Sequence, residues 1–157
     1  DGETFVARIN AALSEGIRFS AVVPADLAAP SLQEAITRAT YRAVVPGATR
    51  EELAAGTEAF LARTEVAVVR SRKGKPDKLL DIRPMVEDLR VDDAGDLRFT
   101  LVLDPSGSPR LPEVLAAVAG PGRDAGAEIE RVGLYAREAG KLLSPLVVGR
   151  RPRATMA

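Results

Sequence analysis

Basic side chains concentrate in one short stretch, residues 70–84, which reads RSRKGKPDKLLDIRP. Such a cluster can hold the phosphates of an RNA backbone, with an affinity that falls as salt rises and that ignores base sequence. The structural alternative is a solvated hairpin, whose charges keep the end of a sheet from pairing with another chain. Asp77 lies inside the stretch and weakens the RNA interpretation. Both interpretations, the RNA site and the solvated hairpin, stay open. The basic residues of the cluster are Arg70, Arg72, Lys73, Lys75 and Lys78.

Asp81 and Arg83 end this stretch, just before Pro84. Two residues apart on an extended chain, their side chains share one face. They could form a charge pair that presents the guanidinium to a phosphate or carboxylate, the geometry that arginine suits best. Alternatively, Asp81 satisfies backbone N–H groups, or pairs with Arg83, where a strand breaks. We favour this alternative, because polar residues at strand breaks usually serve the backbone.

A third candidate site is Arg131, Gly133 and Tyr135, near the end of the patterned sequence. Arg131 and Tyr135 could face the same ligand, and Gly133 could allow a close approach of the backbone. We favour a structural interpretation, in which this is a terminal strand with Val132 and Leu134 in the core and Tyr135 half buried.

The composition excludes several kinds of chemistry. The chain has no Cys and no His, which removes thiolate nucleophiles, the commonest general base and the commonest metal ligands. We therefore expect no cofactor in this chain and no catalysis by the chain alone. Its net charge is zero, only 4% of its residues are aromatic and it has no Trp. These values disfavour a globally basic nucleic-acid binder and a base-stacking platform.

The hydropathy pattern predicts a cytoplasmic protein with no membrane partner. No apolar run approaches the length needed to cross a bilayer. Asp1 begins a polar segment that lacks the basic and apolar regions of a signal peptide.

Apolar spacing and capping residues predict alternating helices and strands. Phe5, Ile9 and Leu13 mark one face of a first helix, which Gly16 follows. Thr49 and Glu52 form the capping box of a second, and Pro112 suits the first turn of a third. Strands are predicted at residues 17–23, 41–45, 65–70, 79–91 with a break at Pro84, 97–103 and 127–135, and a short helix at 31–38.

The order of these elements predicts an α+β fold. From about residue 40 to 135 it follows the βαββαβ pattern of a ferredoxin-like antiparallel sheet with helices on one face, with one strand extra or broken. We assign residues 39–135 to this domain. Residues 1–38 are interpreted as a partial second ferredoxin-like half that must pack on it. Residues 136–157 form an Arg- and Pro-rich tail, which we expect to fray.

Several stretches, in their order along the chain, resemble one known family. They are residues 9–18, 31–33 and 39–41, then Lys73-Gly74-Lys75 with Asp81-Ile82-Arg83-Pro84, Arg110-Leu111-Pro112-Glu113-Val114-Leu115, and Arg131-Val132-Gly133-Leu134-Tyr135. The family is the radical-SAM-linked domain of unknown function, which occurs fused after, or encoded beside, a B12-binding radical SAM protein. The resemblance covers residues from about 5 to 135.

The resemblance implies a bacterial cytoplasmic protein that works with a radical SAM enzyme. That partner would hold the iron–sulfur cluster, SAM and possibly B12. Family members begin with a further segment that contains His and a Gly-Phe-Asn-Pro-like turn, so the resemblance implies that the chain is N-terminally incomplete. The expected function is an accessory binding module that presents RNA or another translation-related substrate. The alternatives are an enzyme half whose catalytic residues lie in the missing segment, and a pure protein-interaction domain.

Overall fold

A computed structural model describes residues 1–148 of the chain, apart from the side chains of Arg72 and Lys75. Five helices, seven strands and one 3₁₀ turn follow one another in this part. The helices are α1 (Gly2–Ala12), α2 (Leu32–Ala35), α3 (Arg50–Ala62), α4 (Leu111–Ala119) and α5 (Pro145–Val148). The strands are β1 (Arg38–Val44), β2 (Ala67–Arg72), β3 (Lys75–Asp81), β4 (Val86–Val91), β5 (Leu97–Val102), β6 (Glu128–Glu138) and β7 (Lys141–Leu143), and the 3₁₀ turn is Arg83–Met85.

The predicted starts of α3 and α4 are confirmed. The Thr49 hydroxyl accepts a hydrogen bond from the Glu52 N–H at 3.1 Å, and the Glu52 carboxylate accepts one from the Thr49 N–H at 2.9 Å. This reciprocal pair satisfies two N–H groups that the first turn of α3 leaves without helical partners. Pro112 lies in the first turn of α4, and Gly120 follows its end with a φ of 97°.

The main sheet has five antiparallel strands in the order β4-β5-β1-β6-β7. In β5 the buried apolar residues Leu97, Phe99 and Leu101 alternate with residues of the opposite face, as the sequence predicts. The core packs these side chains against α3 and α4. Its other fully buried members include Ala43, Leu53, Phe60, Val114 and Leu115.

Helices α3 and α4 approach each other at a glycine. A Cβ atom at Gly56 would lie 1.9 Å from the carbonyl oxygen of Val118. Only a residue without a side chain fits at this contact, because backbone on the facing helix cannot move aside as a flexible side chain can. Gly56 therefore sets how closely the two helices pack over the sheet.

Strands β2 and β3 form a separate two-stranded sheet. Their residues pair as Val68 with Leu80, Val69 with Leu79, and Arg70 with Lys78. The sequence predicts a strand at residues 65–70 and another from residue 79. It assigns both to the ferredoxin-like sheet, as part of a pattern with one strand extra or broken. The structure instead sets both strands apart as a hairpin, and Pro84 then interrupts the chain in the 3₁₀ turn before β4, as predicted.

The predicted strand at residues 17–23 is absent from the structure, which assigns no strand between α1 and β1. A strand requires a neighbouring backbone to bond with its N–H and C=O groups. Here the side-chain amide of Asn10 takes that place, because it accepts from the Phe19 N–H at 2.8 Å and donates to the Phe19 carbonyl at 2.9 Å. Residues 1–37 thus contribute two helices and no strand.

Residues 136–148 do not fray as predicted. Strand β6 continues to Glu138, the chain turns at Ala139 and Gly140, and β7 then pairs with the end of β6. Ala136 and Val148 are both only 4% exposed. Burial of these two side chains explains why the segment is ordered. The rest of the predicted tail, residues 149–157, lies outside the described residues.

Candidate functional site

The basic cluster lies on the hairpin of β2 and β3, and three of its five residues are at or beside the turn. The turn contains Lys73 and Gly74, and Gly74 has a φ of 72°, a conformation that glycine adopts readily. Lys73 is exposed there. The backbones of Arg72 and Lys75 flank the turn as paired residues. The predicted turn is therefore in place, and it presents Lys73 to solvent.

Arg70 does not belong to an open basic surface. Its Nε donates to Glu113 Oε1 at 2.7 Å, and its Nη2 donates to Glu113 Oε2 at 2.6 Å. The same Nη2 also donates to the Ser108 carbonyl at 2.7 Å. Both side chains of the ion pair are largely buried, at 13% and 16% exposure. Arg70 therefore joins the hairpin to the first turn of α4.

Lys78 lies beside Arg70 and also points back to the protein. Its Nζ donates to the Ser106 carbonyl at 2.5 Å, and the charge of Lys78 helps to lower the pKa of Asp104. The stronger cause of that lowered pKa is the Ser106 hydroxyl and N–H, which both donate to the Asp104 carboxylate. Two members of the predicted cluster, which pair with each other across the hairpin, thus hold it to α4 and to the loop before α4.

The hydrogen bonds from Arg70 lower the pKa of the Glu113 carboxyl. Burial opposes this shift, while the backbone N–H of Arg110 and the charges of Arg70 and Arg110 add to it. The same pairing raises the pKa of Arg70. Glu113 is therefore ionised at neutral pH and acts as an acceptor, which is the role of a structural counter-ion.

The outer face of the hairpin is apolar as well as basic. Val69 and Leu79 lie directly opposite each other, and they are 64% and 63% exposed. Val68 and Leu80 face the opposite way and pack against the core. The hairpin therefore presents an exposed apolar cross-strand pair on the face opposite the core.

Asp81 and Arg83 do not form an ion pair with each other. Asp81 Oδ1 accepts hydrogen bonds from the backbone N–H groups of Val66, at 2.8 Å, and of Arg83, at 2.9 Å. The Arg83 guanidinium lies 5.5 Å from the centre of the Phe60 ring and donates to the Leu61 carbonyl at 3.1 Å. Asp81 thus serves the backbone between β3 and the 3₁₀ turn, and Arg83 holds the end of α3.

Arg131 and Tyr135 lie on opposite faces of the sheet, so the alternative in which both side chains face one ligand does not fit the structure. The pairing of β1 with β6 shifts by one residue, because Thr40 lies opposite Gly133 and Tyr41 lies opposite Arg131. Val132 is therefore an extra residue, a β-bulge in β6. One extra residue reverses the face of every side chain beyond it.

The bulge sends Arg131 towards the helix-covered face and Tyr135 to the other. Directly paired residues share a face, and Tyr135 pairs with Arg38 on the face opposite the core. A Cβ atom at Gly133 would lie 2.4 Å from the Tyr135 hydroxyl, so the ring of Tyr135 lies over Gly133. Tyr135 is half buried, as predicted, but Val132 is 44% exposed and lies outside the core.

The face of the sheet opposite the core carries a charge cluster that the sequence did not indicate. Glu87 accepts from Arg38 at 2.9 and 3.0 Å, and it also pairs with Arg137. Burial alone would raise the pKa of Glu87, but the hydrogen bonds and charges of Arg38 and Arg137 outweigh it and lower the pKa. These partners lie 49 and 50 residues from Glu87, so local sequence spacing cannot predict that they pair with it.

The acidic loop between β4 and β5 is a turn. Asp92 Oδ1 accepts from the N–H groups of Ala94 and Asp96, both at 3.0 Å, and Asp92 Oδ2 accepts from Arg98 at 2.7 Å. Arg42 pairs with Asp96 at 2.6 Å. Within residues 1–148 no group of three acidic side chains is placed to hold a metal ion.

Comparison with known proteins adds a family to this description. In the part that the structure describes, no helix is long and apolar enough to cross a bilayer. No curated protein and no solved structure matches the chain. A family model described as an uncharacterized protein conserved in bacteria (DUF2344) matches residues 1–111, which include every predicted site residue except Arg131, Gly133 and Tyr135. The chain belongs to this bacterial family.

Proposed function

We propose that the chain is a cytoplasmic accessory module, which holds an RNA on the basic turn of hairpin β2–β3 and presents it to a radical SAM enzyme. The anchoring of the hairpin carries this proposal. The pair of Arg70 with Glu113 and the bond from Lys78 to Ser106 hold the hairpin, at the residue pair next to its turn end, to α4 and the loop before it. The turn with Lys73 belongs to this anchored hairpin, which is separate from the main sheet, and lies beside the sequence positions of Arg72 and Lys75.

The state of the carboxyl groups favours binding over acid–base catalysis. Among the described residues, each carboxyl whose pKa is shifted has a lowered pKa, namely Glu87, Asp92, Asp104 and Glu113. A general acid at neutral pH needs a raised pKa, close to the working pH. These four groups are instead held as ionised acceptors by arginine, serine or backbone donors.

The radical SAM partner is supported by the sequence resemblance. The ordered stretches from residue 9 to Tyr135 are similar to those of the radical-SAM-linked domain. In this proposal the partner supplies the iron–sulfur cluster, SAM and possibly B12, since the chain has no thiolate to hold a cluster. The role of the chain itself is to bind and orient a substrate.

We also propose that the main sheet and its helices form a ferredoxin-like unit. Without the hairpin, the chain order is β1-α3-β4-β5-α4-β6. The antiparallel pairings make β1 parallel to β4 with β5 between them, and β5 parallel to β6 with β1 between them. Two such split βαβ units are the ferredoxin-like pattern. The hairpin is then an insertion between α3 and β4.

Binding of a short single-stranded RNA of mixed sequence, measured by fluorescence anisotropy at several salt concentrations, tests the RNA role. We expect the logarithm of the binding constant to fall linearly with the logarithm of the salt concentration, by ~0.7 for each phosphate contacted. The double variant Lys73→Ala/Lys75→Ala should flatten this slope by ~1.4, the value for two lost contacts.

The matched control is Arg63→Ala/Lys141→Ala, which removes two exposed cations that belong to neither β2, β3 nor their turn. Its slope should equal that of the unchanged chain. Equal slopes for the two double variants, or no RNA binding at low salt, would contradict the RNA role.

A protein partner for the hairpin is the second candidate, and the exposed pair of Val69 and Leu79 favours it. Coexpression with the radical SAM protein, followed by size-exclusion chromatography, tests it. If the partner docks on this apolar pair, Val69→Ser/Leu79→Ser should abolish a complex that Lys73→Ala/Lys75→Ala leaves intact. If the complex survives both double variants, the hairpin is not the docking surface.

A further inference from the structure

We infer that a groove between α2, the loop after β5, and β6 binds a small amphiphilic anion, with Arg131 at its anionic end. The groove has a volume of about 480 Å³. Ligand pockets in proteins range from about 300 to 1,000 Å³. Its apolar lining comes from Leu32, Ile36, Leu103, Pro105 and Leu134, and Arg131 lies beside them. We call it the Arg131 groove.

The β-bulge at Val132 brings Arg131 to this groove. In a regular strand, residues three apart point to opposite faces, so Arg131 and Leu134 would lie on different sides of the sheet. With the extra residue, Arg131 pairs with Tyr41 and Leu134 pairs with Ala39, on the same face. Bulges often redirect a side chain beside a functional site.

The charges of the groove favour an anion. Within residues 1–148, Arg131 has neither an ion pair nor a side-chain hydrogen bond among the contacts of the structure. The groove also contains Asp104, but that carboxylate already accepts two hydrogen bonds from Ser106. Arg131 is therefore the charged side chain of the groove that is left to bind a ligand.

The apolar lining and the single cation together define the ligand class. A carboxylate or phosphate can take two parallel hydrogen bonds from a guanidinium. The body of the ligand would replace water over Leu103, Leu134 and the exposed side chain of Leu32. The ligand is thus a small molecule with an apolar body and one anionic end. The Arg131 groove contains none of the exposed hairpin residues, so the inference about this groove does not depend on whether the hairpin binds RNA.

Three probes of equal length test the inference: octanoate, octanol and octylammonium. Each is titrated into the full ¹⁵N-labelled chain, and amide chemical shifts are followed by NMR. We expect octanoate to shift the amides of Leu103 and Leu134 and to bind about fivefold more tightly than octylammonium, the preference that one partly exposed charge pair can supply.

Two variants separate charge from apolar contact. Arg131→Met keeps an unbranched apolar stem, removes the guanidinium, and should weaken octanoate about fivefold while leaving octanol unchanged. Leu32→Ser should weaken octanoate and octanol alike, because it removes apolar lining only. The matched control is Arg63→Met, which removes an exposed cation elsewhere and should bind all three probes like the unchanged chain.

Three results would overturn the inference. They are equal binding of octanoate and octylammonium, an octanoate affinity that Arg131→Met does not change, and amide shifts by octanoate that avoid the Arg131 groove or do not occur.

Discussion

Arg70 and Glu113 form a two-point ion pair, with Nε 2.7 Å from Oε1 and Nη2 2.6 Å from Oε2. The pair joins β2 to the first turn of α4 across 43 residues of sequence. Glu113 also accepts from the Arg110 N–H at 2.8 Å, at the start of α4. One carboxylate therefore caps a helix and anchors the hairpin, so the two features are mechanically linked.

We expect Glu113→Ala to lower the free energy of unfolding by about 2–3 kcal/mol, because it leaves the largely buried Arg70 guanidinium without its carboxylate partner. Urea denaturation followed by circular dichroism measures this change. The double variant Arg70→Met/Glu113→Ala should lose less than the sum of the single variants. Glu58→Ala, an exposed change in α3, serves as the control. Additive single variants would show that the pair contributes no coupling.

Glu87 should make stability depend on pH in a defined direction. Its folded pKa lies below the ordinary value of 4.5, chiefly because Arg38 and Arg137 outweigh the effect of burial. Stabilisation by Glu87 is therefore fully present above the unfolded pKa and is lost as pH falls through the folded pKa. The difference in unfolding free energy between the unchanged chain and Glu87→Gln should be largest near neutral pH and should shrink in acid.

Urea midpoints at a series of pH values, for both proteins, measure this difference. Asp26→Asn changes an exposed acid outside the sheet and is the control. A difference that stays constant from neutral pH into acid would contradict the assigned role of Glu87.

Asp81 should act through an oxygen atom rather than through its charge. Asp81→Asn retains an acceptor for the N–H groups of Val66 and Arg83, so we expect a loss of less than about 1 kcal/mol. Asp81→Ala leaves both N–H groups without that acceptor and should lose about 1–3 kcal/mol. Thermal and urea denaturation of both variants check the order. If Asp81→Asn is as damaging as Asp81→Ala, the negative charge itself is needed.

Gly56 should be intolerant of the smallest side chain. In an unobstructed helix, Gly→Ala stabilises by about 0.5–1 kcal/mol. At Gly56 the new Cβ would lie 1.9 Å from the Val118 carbonyl oxygen, so we expect Gly56→Ala to destabilise by about 1–3 kcal/mol. The sign of the change in melting temperature distinguishes the two outcomes. A stabilised Gly56→Ala would show that α3 and α4 do not pack this closely.

Elements with local causes could be predicted from the sequence. The capping box of Thr49 and Glu52 and the Pro112 at the start of α4 involve residues within one helical turn. The alternation from Leu97 to Leu101 follows from the two-residue period of a strand. The backbone role predicted for Asp81 also has a local cause, the strand break before Pro84. Asp81 accepts hydrogen bonds from two backbone N–H groups there.

Features that depend on distant partners were not predictable. The strand expected at residues 17–23 has suitable β-branched residues, but no neighbouring strand pairs with it and Asn10 bonds to Phe19 instead. The spacing of Arg131 and Tyr135 does not predict the bulge in β6, because a bulge depends on how β6 aligns with β1. The expectation of fraying was wrong for residues 136–148 for a related reason, since burial of Ala136 and Val148 comes from packing.

By itself, the sequence determined the starts of α3 and α4 and the alternation of β5, and it excluded thiol and imidazole chemistry, because these follow from side-chain types and short-range geometry. Only the tertiary structure decided which cations remain available. Arg70 and Lys78 are held by groups 43 and 28 residues away, while Lys73 and Arg131 remain exposed. The physical reason is that a charge is neutralised by whatever the fold brings within hydrogen-bonding distance, and sequence separation sets no limit on that.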